Sequence, residues 1–227
     1  MAKDIIVAID GYSGVGKSST ARAVAEQLDY TYIDTGAMYR AVTLHFIRHE
    51  VNIAEPAAVR EALASISIRF QRSVESADNE TYLNGENVER EIRGMPVSQH
   101  VSPVSALPVV RQAMVAQQRA MGEDKRIVMD GRDIGTNVFP QAELKVFMRA
   151  DTAVRAQRRR AELLEKGQDI SETEIAANLT QRDQMDTSRA ENPLIQAQDA
   201  VVLDTTHLSF AAQVQQVVDW AEAIINA

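Results

Sequence analysis

The chain has 227 residues, 45% of them hydrophobic and 25% charged, with a formal net charge of −8, four histidines and no cysteine. That composition suits one globular domain with insertions, or a core with a small satellite. The acidic balance makes a nucleic-acid polymer a poor partner, and the lack of cysteine removes disulfides, thiolate metal sites and cysteine nucleophiles.

His45, His49, His100 and His207 are scattered without the spacing of zinc ligands. The apolar run near the N-terminus is too short for a signal peptide, and no stretch approaches the ~20 apolar residues of a membrane span. The expectation is a soluble, cytoplasmic protein with no membrane partner.

Ile5–Ile9 is continuously apolar, as expected of a strand covered on both faces. It runs into Gly11-Tyr12-Ser13-Gly14-Val15-Gly16-Lys17-Ser18, followed by Ser19, a full match to G-x-x-x-x-G-K-[ST]. An amphipathic stripe of Ala21, Val24, Ala25 and Leu28 comes next, so the strand–loop–helix context of the motif is present. Glycines allow main-chain N–H groups to converge on phosphate oxygens, and the helix turns its positive end toward the anion. Lys17 is placed to reach the β- and γ-phosphates, and Ser18 to ligand Mg²⁺. Binding of ATP or GTP follows, and the absence of an N-K-x-D segment argues against a GTP switch.

A second strand over Tyr30–Ile33 leads to Asp34-Thr35-Gly36-Ala37-Met38-Tyr39-Arg40. Alone, this reads as a capped helix start with a surface arginine; beside a phosphate loop it reads as a clamp for an acceptor phosphate. From Ile66 to Val88 the rhythm changes to period two, with a polar segment, a short strand over Thr81–Asn84 and the turn signal Asn84-Gly85. This predicts a small antiparallel insertion.

A strand over Ile127–Met129 precedes Asp130-Gly131-Arg132-Asp133-Ile134-Gly135-Thr136. Asp130 at a strand's carboxyl end is placed to orient Mg²⁺, with Arg132 and Asp133 projecting into the same mouth; a merely charged loop is the alternative. Further strands are expected at Leu144–Met148 and Val201–Leu203. Between them, a helix begun after Asp151-Thr152 and ended near Gly167 carries Arg155, Arg158 and Arg159 on one face, either for a phosphate or for solvent.

Ser171-Glu172-Thr173-Glu174 fits a capping box. The apolar stripe begun by Ile175 and Leu179 is then continued by Arg182, Asp186 and Arg189 at helical spacing. Arginine before aspartate is the less favourable order in a helix, so a cleft for a sugar phosphate explains the arrangement better than helix stability. The last helix shows a stripe of Val214, Val217, Val218, Ala221 and Ile225. The alternation predicts an α/β fold: a five-stranded parallel sheet flanked by helices, plus the β insertion.

Along nearly its whole length the chain resembles the bacterial cytidylate kinases. The resemblance rests on Ile9–Ser19, Asp34–Arg40, Asp130–Thr136 and Arg182-Asp183 with Asp186 and Arg189. It implies a phosphate-loop core (1–36, 104–152 and 190–227), a monophosphate-binding domain with the insertion (37–103), and a short lid with the following helix (153–189). It implies Mg²⁺ and ATP as donor, with Gly11–Ser19, Arg155, Arg158 and Arg159 binding ATP and Ser18 and Asp130 near the metal. Arg40, Arg132 and Arg189 would hold the acceptor phosphate, near Thr35. Arg182 and Asp186 would contact the sugar, and Ser102, Arg111 and Asp133 would read cytosine. Lys17, Arg132, Arg182 and Arg189 are the candidates to stabilise the transferring group. Thr35 stands where serine is more usual, and the hydroxyl is kept.

A carboxylate suits the amino group of cytosine, and an arginine with a hydroxyl suits its acceptors, so CMP and dCMP are expected over UMP. The protein is expected to act as a monomer. Two alternatives stay open: a related small-molecule kinase for UMP, AMP or a metabolite such as shikimate, and a nucleotide-binding regulator without turnover.

Overall fold

The computed structural model describes residues 3–72, 79–165 and 167–227. In chain order the elements are β1 (Ile6–Gly11), α1 (Lys17–Leu28), β2 (Thr31–Asp34), α2 (Thr35–Arg48), α3 (Pro56–Ala64), β3 (Ile68–Arg72), β4 (Asn79–Leu83) and β5 (Glu86–Asn87). A 3₁₀ turn (Glu91–Arg93) precedes α4 (Met95–Ala106), α5 (Pro108–Met121) and β6 (Ile127–Gly131). A π-helical turn (Ile134–Val138) leads to β7 (Leu144–Arg149), α6 (Thr152–Glu165), α7 (Glu172–Ser188), β8 (Val201–Asp204) and α8 (Phe210–Ile225). The chain divides into two compact units, Met1–Tyr32 with Gly122–Ala227, and Ile33–Met121.

The first unit is built on a five-stranded sheet in the order β2-β6-β1-β7-β8. β1 is central and pairs in parallel with β6 and β7. All six of its residues are buried, as its continuous apolar run requires. Ile5, Val7, Ile9, Val24, Val146, Met148, Val214 and Val217 belong to one core, so the stripes of α1 and α8 pack where their helical periods aim them. A smaller cluster of Ala156, Leu163, Ile175 and Leu179 joins α6 to α7. No helix among the described residues is long and apolar enough to cross a membrane.

Two expectations need correction. The run Val201–Leu203 was expected to be covered like the others, but β8 is an edge strand: only Leu203 is buried, and Val201 and Val202 are exposed. An apolar run marks strand propensity and cannot tell a central strand from an edge. Arg189 was expected on one helix face with Arg182 and Asp186, but α7 ends at Ser188 and Arg189 is its extended C-cap (φ −63°, ψ 144°). Of the expected capping box the N-cap half forms: the Ser171 hydroxyl accepts from the Glu174 N–H and donates to the Glu174 carboxylate.

The second unit has its own core of Met38, Val42, Phe46, Val59, Ile68, Leu83, Val104 and Met114 among others. Its three-stranded antiparallel sheet, β3-β4-β5, is the expected insertion. Asn84 (φ 51°) and Gly85 (φ 87°) form the two-residue turn between β4 and β5, both left-handed as a type I′ hairpin demands. The polar segment 73–78 lies outside the described residues.

Candidate active site

In the first unit β1 delivers the chain into the phosphate loop. Gly11 has φ +147°, and a Cβ there would lie 2.0 Å from the carbonyl oxygen of Met148 on β7, so only glycine fits. Gly16, at φ +90°, is the N-cap of α1 and offers no side-chain acceptor. The first amides of the helix are therefore left for an anion, favoured by the helix dipole.

Lys17 is 6% exposed, and its Nζ donates to the carbonyl of Tyr12 at 2.6 Å. Burial, reinforced by the nearby Arg132 guanidinium, pushes its pKa down to about 7. Ser18 Oγ donates to Asp130 Oδ2 at 3.0 Å, while Tyr32 donates its hydroxyl to Asp130 Oδ1 at 2.8 Å. The penultimate residue of β6 thus lies against the serine in the first turn of α1. This is an oxygen-only donor set suited to a hard cation.

Asp10, the penultimate residue of β1, is buried, and its two oxygens accept from the N–H groups of Ile134 (2.8 Å) and Gly135 (2.7 Å). Burial pushes its pKa up to about 6, against the opposing pull of those two hydrogen bonds. Asp10 thereby fixes the loop carrying Arg132 and Asp133 to the strand that carries the phosphate loop.

Arg132 donates through Nε to Asp186 (2.7 Å) and through Nη2 to the Ser13 hydroxyl (2.8 Å). Asp133 is buried, accepting from Arg189 Nη2 at 3.1 Å and from Asn137 Nδ2 at 3.0 Å. Arg189 also donates through Nε to the Asn192 carbonyl at 2.7 Å. Among the described residues Arg182 makes no hydrogen bond or ion pair. Burial and the like charge of Arg132 press its pKa below the usual guanidinium range. Asp186 and Asp183 offset that pressure only in part, so a guanidinium set beside Arg132 and Arg159 is suited to receive an anion.

The three candidate arginines of α6 part company. Arg155 is buried, donating to the Ser13 carbonyl, Asp183 and Thr152 and lying over the Tyr12 ring. Arg158 donates to the carbonyl (2.6 Å) and hydroxyl (3.2 Å) of Thr205, and Arg159 pairs with Glu162 at the surface. The phosphate loop, Lys17, Ser18, Asp130, Arg132, Asp133, Arg155, Arg182, Asp186 and Arg189 are thus all set in the first unit, with Arg159 facing solvent.

The second unit holds the other candidates. Asp34 caps α2 by accepting from the Ala37 N–H at 2.9 Å, and its other oxygen pairs with Arg93 at 2.8 Å. Thr35, the first residue of α2, is buried. Five residues on, Arg40 donates through Nη1 to Ser98 Oγ at 3.0 Å and to the Ile92 carbonyl at 3.3 Å. Arg111 on α5 is 2% exposed and lies over the Tyr39 ring at 5.5 Å. Ser102 is half-buried on α4.

Sequence reasoning gave no role to Asp10, Tyr32, Asp183, Arg93 or Ser98. Asp10 had one readable signal, a carboxylate ending an otherwise apolar strand. The others depend on partners distant in sequence.

A family model described as "Cytidylate kinase" matches residues 7–223. The chain is 54% identical to the cytidylate kinase of Cytophaga hutchinsonii over 96% of its own length and 94% of that protein's. It is 52% identical to the cytidylate kinase of Bacteroides thetaiotaomicron over 93% of each chain. Among solved structures, an uncharacterized protein from Eubacterium ventriosum matches with a TM-score of 0.54 at 13% identity, covering 97% of this chain and 99% of that one; this likeness concerns the fold alone. With a family model spanning nearly the whole chain and relatives sharing half its residues, the chain belongs to the cytidylate kinase family.

Proposed function

We propose that the protein is a cytoplasmic, monomeric (d)CMP kinase, passing the γ-phosphoryl group of ATP to CMP or dCMP to give CDP or dCDP and ADP. The observation that carries the reading is the company kept by the phosphate loop. Arg132, Arg182 and Asp186 are drawn together in the same unit as Lys17 and Ser18, and Arg132 touches the loop itself at Ser13.

An acceptor phosphate oxygen is already a nucleophile, so the residues need only position it and spread charge. Main-chain amides of Gly11–Ser19 and the Lys17 ammonium cradle the donor phosphates. Arg40, Arg132 and Arg189 hold the acceptor phosphate, with Thr35 beside it. Arg182 and Asp186 hold the sugar, and Ser102, Arg111 and Asp133 read the base. Lys17, Arg132, Arg182 and Arg189 neutralise the transferring group. Ser18, with Asp130 behind it, fits Mg²⁺, which when bound to ATP neutralises and orients the phosphates. In this reading 37–103 is the monophosphate-binding domain and 153–189 the lid and following helix, with Arg155, Arg158 and Arg159 on the ATP side and water excluded on closure.

The test is ADP release with CMP, dCMP, UMP and AMP as acceptors. CMP and dCMP are expected to be turned over, with UMP and AMP at least tenfold poorer in kcat/KM. Equal use of UMP overturns the base assignment, and ATP binding without CMP-dependent ADP release overturns the kinase reading.

A further inference from the structure

Ser13 is gripped through every polar group it has. Its N–H donates to Asp183 Oδ1 at 3.3 Å, its carbonyl accepts from Arg155 Nη1 at 3.0 Å, and its hydroxyl accepts from Arg132 Nη2 at 2.8 Å. Asp183 and Arg155 are themselves paired at 2.6 Å, with side chains 14% and 6% exposed. Arg155 is held in turn by the Thr152 hydroxyl at 2.8 Å and lies over the ring of Tyr12, the residue before Ser13. Three positions beyond Asp183 on α7, Asp186 fixes the arginine that reaches the Ser13 hydroxyl.

Joining α6 to α7 does not explain this arrangement. Those helices already share Ala156, Leu163, Ile175 and Leu179, and a buried ion pair seldom stabilises more than apolar residues of the same volume. What apolar residues could not supply is an acceptor for the Ser13 N–H and a donor for its carbonyl. A glycine-rich loop left without such partners would have to be ordered by its ligand, and that entropy would be subtracted from the affinity.

We propose that Asp183 is a positioning residue for the donor loop: through its own bond to the Ser13 N–H and through Arg155 it pre-sets the loop that receives the triphosphate. The proposal rests on the reading of Gly11–Ser18 as the ATP site. A carboxylate near a polyphosphate repels it on charge alone. The two roles therefore predict opposite signs: removing a positioning group weakens ATP binding, and removing a competitor tightens it.

The experiment uses the full chain with Asp183→Asn, nearly isosteric and still able to accept one of the two bonds, and with Asp183→Ala. Three quantities are measured: ATP affinity by titration without acceptor, steady-state KM for ATP and for CMP, and hydrogen exchange at the Ser13 amide. Expected are an ATP affinity about fivefold weaker in Asp183→Asn and more than tenfold weaker in Asp183→Ala, a parallel rise in KM for ATP, KM for CMP within twofold of wild type, and faster exchange at Ser13. Loss of folded protein alone would lower kcat without moving either KM. Unchanged or tighter ATP binding in Asp183→Asn, or an unaltered Ser13 amide, overturns the proposal. CMP-dependent ADP release by the wild-type chain is read separately, so failure of the kinase reading is distinguishable from failure of this one.

Discussion

Arg132 and Asp186 meet at 2.7 Å across 54 positions of chain, a loop residue after β6 held by a residue on α7. Both side chains are 21% exposed, enough to meet a ligand and too little for water to screen the pair fully. Arg132→Ala should lower kcat/KM for CMP on the order of 100-fold, as expected for removal of one donor to a transferring phosphoryl group. Asp186→Asn should lower it by roughly tenfold. The double variant should fall short of the product of the two, a coupling of about 1–2 kcal/mol that a steady-state double-mutant cycle reads directly.

Lys17 gives a pH dependence with a definite sign. In the free protein its pKa is lowered to about 7, burial being the larger cause and Arg132 the next. A bound triphosphate favours the ammonium and raises that value. Above pH 7 the free protein must therefore take up a proton on binding, and ATP affinity should fall by up to about tenfold per pH unit between pH 7.5 and 9. Calorimetric titration in two buffers of different ionisation heat should register the proton uptake. Lys17→Met should abolish both the uptake and the slope.

Gly11→Ala tests the geometry at the mouth of the loop. The added methyl would stand 2.0 Å from the Met148 carbonyl, on a main-chain atom of the neighbouring central strand that has nowhere to go. A loss of more than about 3 kcal/mol in urea denaturation is expected, or no folded protein at all.

Tyr32→Phe removes the hydroxyl that donates to Asp130 at 2.8 Å while keeping the ring in the core of the first unit. Asp130 then keeps the Ser18 bond but loses a donor on its other oxygen. A stability loss of about 1–3 kcal/mol is expected by denaturant titration, together with a higher Mg²⁺ requirement in the kinase assay.

Local patterns were legible in the chain, and distant pairings were not. β1, the phosphate loop and α1 could be read because the strand's apolar run, the glycine spacing and the helical stripe are contiguous and agree with one another. The Asn84-Gly85 turn was readable for the same reason. Asp10 works by accepting from amides 124 positions away, and Asp183 by accepting from one 170 positions away. No period or motif encodes such a partner, so Asp183 carried part of the family resemblance without a role of its own. Arg189 failed in the opposite sense. Its helical spacing from Arg182 was real as arithmetic, but the helix stops one residue short of it.

The exposed edge at β8 bears on how the chain behaves in crowded solution. A strand at the sheet's edge that carries two exposed valines invites another molecule to add a strand. The invitation is short: the strand has four residues and is flanked by Asp199, held by Lys145, and ends on Asp204, tied to Arg149. With both border carboxylates already tied to cations of β7, only the two valines between them are left for a neighbour to extend, too short a template to hold an added strand.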